Sequence, residues 1–205
     1  MDDLHLKEKE KYERMWQERA YRINSPGRSV LSSFFSYFGS RIEEGQSITD
    51  YGCGMGLIAV PLLEKGLSVQ LVDITETSLQ DAIHTLLLFE KERLKFFEAS
   101  LWNLPKGVKK TDWIYSVDVL EHIPEEKVLE TLKNLASRCT RGGLIQVFLT
   151  DDDLGELIDE DLHLTVKPLA WWEEAISKYW PIEKIEHVIQ DIRVSFYLGP
   201  PINLV

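Results

Sequence analysis

Cysteine is scarce in this chain of 205 residues: only Cys53 and Cys139 occur. Two thiols cannot complete a four-cysteine zinc site and imply no disulfide framework, so no metal site is expected from them. Basic residues are also short. Lys and Arg number 23 against 34 Asp and Glu, a formal net charge of −11. That balance argues against a general nucleic-acid binder with its basic stripe, though a local basic patch stays open. No apolar run approaches the length of a membrane span. The opening stretch from Met1 to Glu13 is charged throughout and lacks the apolar core of a signal peptide. These absences lead us to expect a soluble, cytoplasmic protein. There is no internal repeat, low-complexity tract or inter-domain linker, and the length suits one domain with a full core. Residues 1–205 are therefore read as a single domain, with 1–40 as an N-terminal helical extension.

What is present is a glycine-rich turn, Asp50-Tyr51-Gly52-Cys53-Gly54-Met55-Gly56, directly after a short apolar stretch. Glycine lacks a Cβ, so such a loop bends through positive φ and lies close to a ligand. The acid leading it suits a ligand with positive charge and hydroxyls better than a pyrophosphate. A nucleoside with an amino-acid tail fits that description. A dinucleotide fingerprint wants Gly-x-Gly-x-x-Gly, and Leu57 stands where the third glycine of that pattern belongs.

Upstream, Lys7 to Arg22 reads as one helix, with Tyr12, Met15, Trp16, Ala20 and Ile23 on one face. Ser25-Pro26-Gly27 breaks it, and Val30 to Phe38 resumes. From Ile48 strands and helices alternate. Strands are expected at 46–50, 68–72, 94–98, 113–117 and 144–150. Helices are expected at 55–65, kinked at Pro61, and at 76–91, 124–138 and 168–179. Arg141-Gly142-Gly143 reads as a turn before the fifth strand. Ile182–Ile189 and Ile192–Leu198 close the chain as an antiparallel hairpin at the sheet edge. The expected fold is α/β: a Rossmann-like, seven-stranded, mostly parallel sheet covered by helices on both faces. Ligands in such sheets bind at the carboxyl ends of the strands, where strand order reverses.

Five motifs in order resemble the class I S-adenosylmethionine-dependent methyltransferases of small molecules, over roughly Ile48 to Leu198. They are the glycine loop; Asp73 closing the second strand; Ala99-Ser100-Leu101-Trp102-Asn103-Leu104-Pro105; Asp112 through Val117-Asp118-Val119-Leu120-Glu121-His122-Ile123-Pro124; and Arg141-Gly142-Gly143. The resemblance implies S-adenosyl-L-methionine as cofactor. It implies that Gly52, Cys53, Gly54 and Gly56 form the loop against its methionine part, with Cys53 a small space-filler rather than a nucleophile. Asp50 then organises the ammonium group, and Asp73 accepts from the ribose hydroxyls. Ile74, Ser100 and Leu101 meet the adenine, Ser100 standing where the family usually has an acid. Asp118 ends the fourth strand beside the cofactor. Tyr12, Trp16 and Tyr21 are expected as a lid, since aromatic faces attract a sulfonium as they attract an ammonium.

For the acceptor, His163 and His122 are the general-base candidates, because imidazole titrates in the useful range. The run from Asp151 to Asp161 holds seven acids in eleven residues and reads as a solvated loop or a surface for a cationic acceptor. The chain lacks an Asn/Asp-Pro-Pro-Tyr-like motif after the fourth strand and a Pro-Cys nucleophile, which points away from nucleic acid. The expected acceptor is a small molecule: a metabolite, or a lipid-linked or sugar-derived compound. A non-catalytic cofactor-binding subunit, a nucleic-acid or protein methyltransferase, and decarboxylation or aminopropyl transfer are the alternatives.

Overall fold

The structure, a computed structural model, describes residues 3–24 and 27–202. Ser25 and Pro26, two of the three residues read as a helix break, lie outside them. Seven strands form one sheet: β1 (Ser47–Tyr51), β2 (Ser68–Asp73), β3 (Leu94–Glu98), β4 (Thr111–Val117), β5 (Cys139–Phe148), β6 (Ile182–Ile189) and β7 (Arg193–Leu198). Their order is β3-β2-β1-β4-β5-β7-β6. The first five are parallel, and β7 runs antiparallel to both β5 and β6. The expected fold class is borne out, with β6 at the edge. Strand order reverses between β1 and β4, so a crevice opens above their carboxyl ends.

Alternation along each strand builds two apolar layers. On one face Ile48, Trp113 and Tyr115 pack with Phe34 and Phe38 of α3 (Gly27–Phe38), Leu62 of α4 (Ala59–Glu64) and Ile83 of α5 (Asp81–Phe89). On the other, Tyr51, Ile114 and Ile145 pack with Leu132 of α6 (Glu125–Ser137) and Trp172 of α7 (Leu169–Ser177). Each such side chain contributes about 1.5–3 kcal/mol through burial. No helix among the described residues is long and apolar enough to cross a membrane.

Several element boundaries differ from expectation. The N-terminal segment is two helices, α1 (Asp3–Met15) and α2 (Arg19–Asn24), not one. The break at 16–18 turns Trp16 inward and leaves Ile23 exposed. The helix after the glycine loop starts only at Ala59, so Pro61 falls in its first turn. There a missing N–H has no intrahelical partner to lose, and no kink is needed. The 76–91 segment is a short 3-10 turn, Glu76–Ser78, followed by α5.

The largest difference concerns Arg141-Gly142-Gly143, which lies inside β5 rather than in a turn. Pairing moves from Thr111 opposite Cys139 to Trp113 opposite Gly142, a bulge with one extra residue on β5. A Cβ on Gly143 would sit 2.0 Å from the carbonyl oxygen of Ile114, and one on Gly142 2.0 Å from that of Leu198. These glycines let β5 approach both neighbours closely. Gly143→Ala is therefore expected to lower stability by about 3 kcal/mol or more, measured as a shift of the urea midpoint; a change under about 0.5 kcal/mol would contradict the close approach.

Candidate functional site

A cavity of about 320 Å³ lies over the carboxyl ends of β1, β2 and β4. Its floor is built by the loop after β1. There Gly52 and Cys53 donate their N–H groups to the carbonyl of Val72 (2.8 and 3.0 Å), and Gly54 donates to Asp73 Oδ2 at 2.7 Å. Gly52, Gly54 and Gly56 have φ of 74°, 49° and 70°. At Gly52 a Cβ would lie 2.3 Å from the Val119 side chain, so only glycine lets the loop pass under the segment after β4.

Eleven of the expected site residues meet here. Gly52, Gly54, Asp73, Ile74, Ser100, Leu101, Asp118, His122 and His163 line the cavity together. Trp16 and Tyr21 do too, edge to face at 4.8 Å between ring centroids, and Tyr12 stands beside them. Helix α1 is fixed over the opening by Lys11 donating to the Asp161 carbonyl (3.2 Å) and by Arg14 paired with Glu160 (3.2 Å). The acidic run is thus partly the counter-surface of α1; from it Asp152 reaches the cavity wall.

Three expected residues lie elsewhere. Asp50 and Cys53 face a smaller adjoining pocket of about 30 Å³, the size of one water, with Arg28 and Tyr115. Gly52 and Val117 border both spaces. Gly56 borders neither and packs toward Ile83 and Leu79 of the α5 segment. Its small size serves packing between the loop and α5. Burial, and then the nearby Asp73 and Asp50, push the Cys53 thiol well up. It stays protonated, which fits a space-filler and not a nucleophile.

Burial dominates the electrostatics. Asp50 is 4% exposed. Desolvation, then Asp73, push its carboxyl well above the carboxylate range, and it accepts no hydrogen bond among the described residues. Burial raises Asp73 to about 6 against the pull of the Gly54, Thr75 and Ile74 N–H groups. Asp118, at a φ of 54°, accepts from Gln146 Nε2 at 2.8 Å and pairs with Arg193 at 3.1 Å. Burial nevertheless shifts it upward. Glu121 is fully buried; its Oε1 accepts the Phe148 N–H at 3.0 Å. Burial, and then Asp118, push its carboxyl well up. His122 is lowered to about 3, by burial first and then by His163. Its Nδ1 lies 3.0 Å from the Leu162 carbonyl, and that of His163 lies 2.6 Å from the Thr150 carbonyl.

The sequence reading missed Arg193 and Phe148 as site residues. Arg193 opens β7, opposite Phe148 of β5, and stacks on its ring at 4.1 Å. Only the return of β7 between β5 and β6 brings it to the cleft, and no local motif announces that return.

Glycines folded beneath a cleft, an acid at the tip of β2 and a 3-2-1-4-5-7-6 sheet together make a Rossmann-like α/β protein with the sheet of the methyltransferase fold. Residues 48–143 match a methyltransferase domain family model. The chain is 32% identical over 100 residues to a ubiquinone biosynthesis O-methyltransferase of Rickettsia canadensis, covering 47% of this chain and 39% of that protein. It is 32% identical over 111 residues to the chloroplastic magnesium protoporphyrin IX methyltransferase of Arabidopsis thaliana, covering 54% and 35%. The match thus spans less than two fifths of either relative's length. In fold it resembles the magnesium protoporphyrin IX methyltransferase of Synechocystis, solved with bound SAH, with a TM-score of 0.67, 18% identity and 93% of each chain covered. The match over residues 48–143 and the shared fold liken the chain to the S-adenosylmethionine-dependent methyltransferases.

The raised Asp73 carboxyl has a consequence for stability. Its folded value of about 6 exceeds the ordinary 3.8, so folding takes up a proton between those pH values. Charged Asp73 therefore opposes folding above about pH 6, and the opposition fades as pH falls toward 4. Asp73→Asn is expected to be more stable than the parent by about 1–3 kcal/mol at pH 7.5. The gap should close near pH 4 in urea unfolding series; a less stable variant at pH 7.5 would refute the burial argument.

Proposed function

We propose that this chain transfers the methyl group of S-adenosyl-L-methionine to a small-molecule acceptor. The observation that carries the reading is the pairing of the glycine loop with Asp73 beneath a cavity roofed by Tyr12, Trp16 and Tyr21. The residues present fit the cofactor. Asp73 has acceptor capacity beyond the Gly54 bond for two ribose hydroxyls. Ile74 and Leu101 supply apolar walls for a purine, with Ser100 at its edge. Asp50, buried and without a hydrogen-bond partner among the described residues, suits an ammonium group, which would draw its carboxyl back to the charged form. Trp16 and Tyr21 offer π faces to a sulfonium.

S-adenosylmethionine, when bound, supplies a methyl group on a sulfonium whose leaving group is already good. The protein then has to align the acceptor and exclude water. The roof formed by α1 and α2 does the second, and it leaves room for a compact acceptor rather than a folded macromolecule. Activation of the acceptor falls to the far end of the cavity, where His122 and His163 stand beside Asp118 and Arg193. His122, lowered to about 3, is too weak a base to draw a proton alone. His163 is the more accessible of the two.

Two measurements test the reading. In calorimetry Asp73→Ala should weaken cofactor binding by about 1.5–3 kcal/mol, the loss of hydrogen bonds to a charged acceptor; unchanged affinity would remove Asp73 from the site. The double variant His122→Ala/His163→Ala should bind the cofactor like the parent, yet lose at least about 100-fold in transfer of labelled methyl to a small-molecule fraction. Full transfer by that variant would show that neither imidazole serves the acceptor.

A further inference from the structure

We propose that Glu121, His122 and His163 form a site for one divalent transition-metal ion of the zinc class, at the acceptor end of the cavity. One ligand atom from each residue lies within 4.8 Å of the others. Contraction by an ångström or so around a central ion would bring that spacing to metal–ligand distances of about 2.0–2.2 Å. The two rings already stand together, edge to face, with centroids 4.7 Å apart.

The surroundings of each ligand support the assignment. A backbone carbonyl only accepts, so the Nδ1 atoms of His122 and His163 must donate, to Leu162 and Thr150 respectively. That fixes both rings in the tautomer whose Nε2 carries a lone pair. Metal-binding histidines are held in this way, with the far ring nitrogen donating to a carbonyl or carboxylate. Glu121 is fully buried; its Oε1 is engaged by the Phe148 N–H, while its Oε2 has no hydrogen-bond partner among the described residues. An orphan oxygen in a buried carboxylate is expensive unless a cation or proton meets it.

Charge points the same way. Asp118 stands near Glu121, and Arg193, paired with Asp118, acts on both. A divalent ion would balance the remaining acid. Two imidazoles and one carboxylate suit zinc, cobalt, iron or manganese better than calcium or magnesium. Three protein ligands also leave a coordination position open, and two of them, His122 and His163, line the cavity. This deepens the methyl-transfer reading and rests on it in one respect: the acceptor would present an oxygen to the ion. A coordinated hydroxyl loses its proton to solvent more readily than a free one. The imidazoles then act as ligands and not as bases.

The test uses the full chain after chelator treatment, titrated with cobalt(II) alone and read by visible ligand-field absorption and by calorimetry. One cobalt per chain should bind with tetrahedral or five-coordinate absorption bands. Glu121→Gln, close in shape, and His163→Ala, at the less buried position, should each weaken binding by at least about 100-fold. His187→Ala, on the exposed edge strand β6, should leave it unchanged. Absent stoichiometric binding, or binding indifferent to both Glu121→Gln and His163→Ala, overturns the proposal. Cofactor affinity measured on the same chelated samples separates the two readings, because it depends on Asp73 and the glycine loop and not on the ion.

Discussion

The tie between the loop after β1 and the tip of β2 sets the position of everything else in the cleft. Tyr51 pairs with Val72 in the parallel register, so both strands end at one level. Two N–H groups of the loop then reach the last carbonyl of β2 before Asp73, and a third reaches the Asp73 carboxylate itself. A parallel pair cannot satisfy these donors beyond its own ends, so the loop folds over the neighbouring strand to do so. Val119 fills the space that a side chain at Gly52 would need. The segment after β4, which carries Asp118, Glu121 and His122, is thereby seated on the same loop. One hydrogen-bonded turn holds the glycine-loop end and the histidine end of the cleft in fixed relation.

Around that turn the protein gathers acids where they are least at ease. Asp50, Asp73, Asp118 and Glu121 are all buried or nearly so, and burial drives each carboxyl upward. Core packing alone would favour apolar residues at such positions. Titratable groups held away from their solution behaviour in one cleft are the mark of a working site rather than of a stabilising one. The acids also divide by task. Asp50 and Asp73 flank the glycine loop. Asp118 and Glu121 face β5 and β7, where Gln146, Arg193 and the Phe148 N–H meet them.

Local pattern made the sheet legible. Strands β2 and β3 fall where alternating apolar residues and their bounding turns put them, because burial on both faces leaves one register available. The glycine loop and Asp73 were legible for a similar reason: each lies at a strand end, where sequence order and spatial order coincide. Gly142 and Gly143 were misread because a glycine pair looks the same in a turn and in a bulge. What separates the two is the approach of Leu198 and Ile114, residues from other strands. Arg193 stayed hidden on the same grounds, as did the meeting of His163 with Glu121 and His122. Their proximity depends on how β7 re-enters the sheet and how the segment after β5 folds back, and neither is encoded in the spacing along the chain.

The roof joins these points. Helix α1 carries Glu8 and Tyr12 to the cavity, with Trp16 just past its end, but makes little contact with the sheet's apolar layers. It is held instead by polar links to the acidic segment after β5 and to β3. Lys9 meets Glu98 at 2.5 Å, and Arg14 meets Glu160 and the Ile158 carbonyl. Exposed pairs of this kind contribute about 0–1 kcal/mol each. Lys11 differs: it is 3% exposed, paired with Glu8 at 2.6 Å, and bonded to the Asp161 carbonyl. A buried, hydrogen-bonded charge cannot lose its partners cheaply. The roof is therefore pinned at Lys11 and only loosely fastened at Lys9 and Arg14.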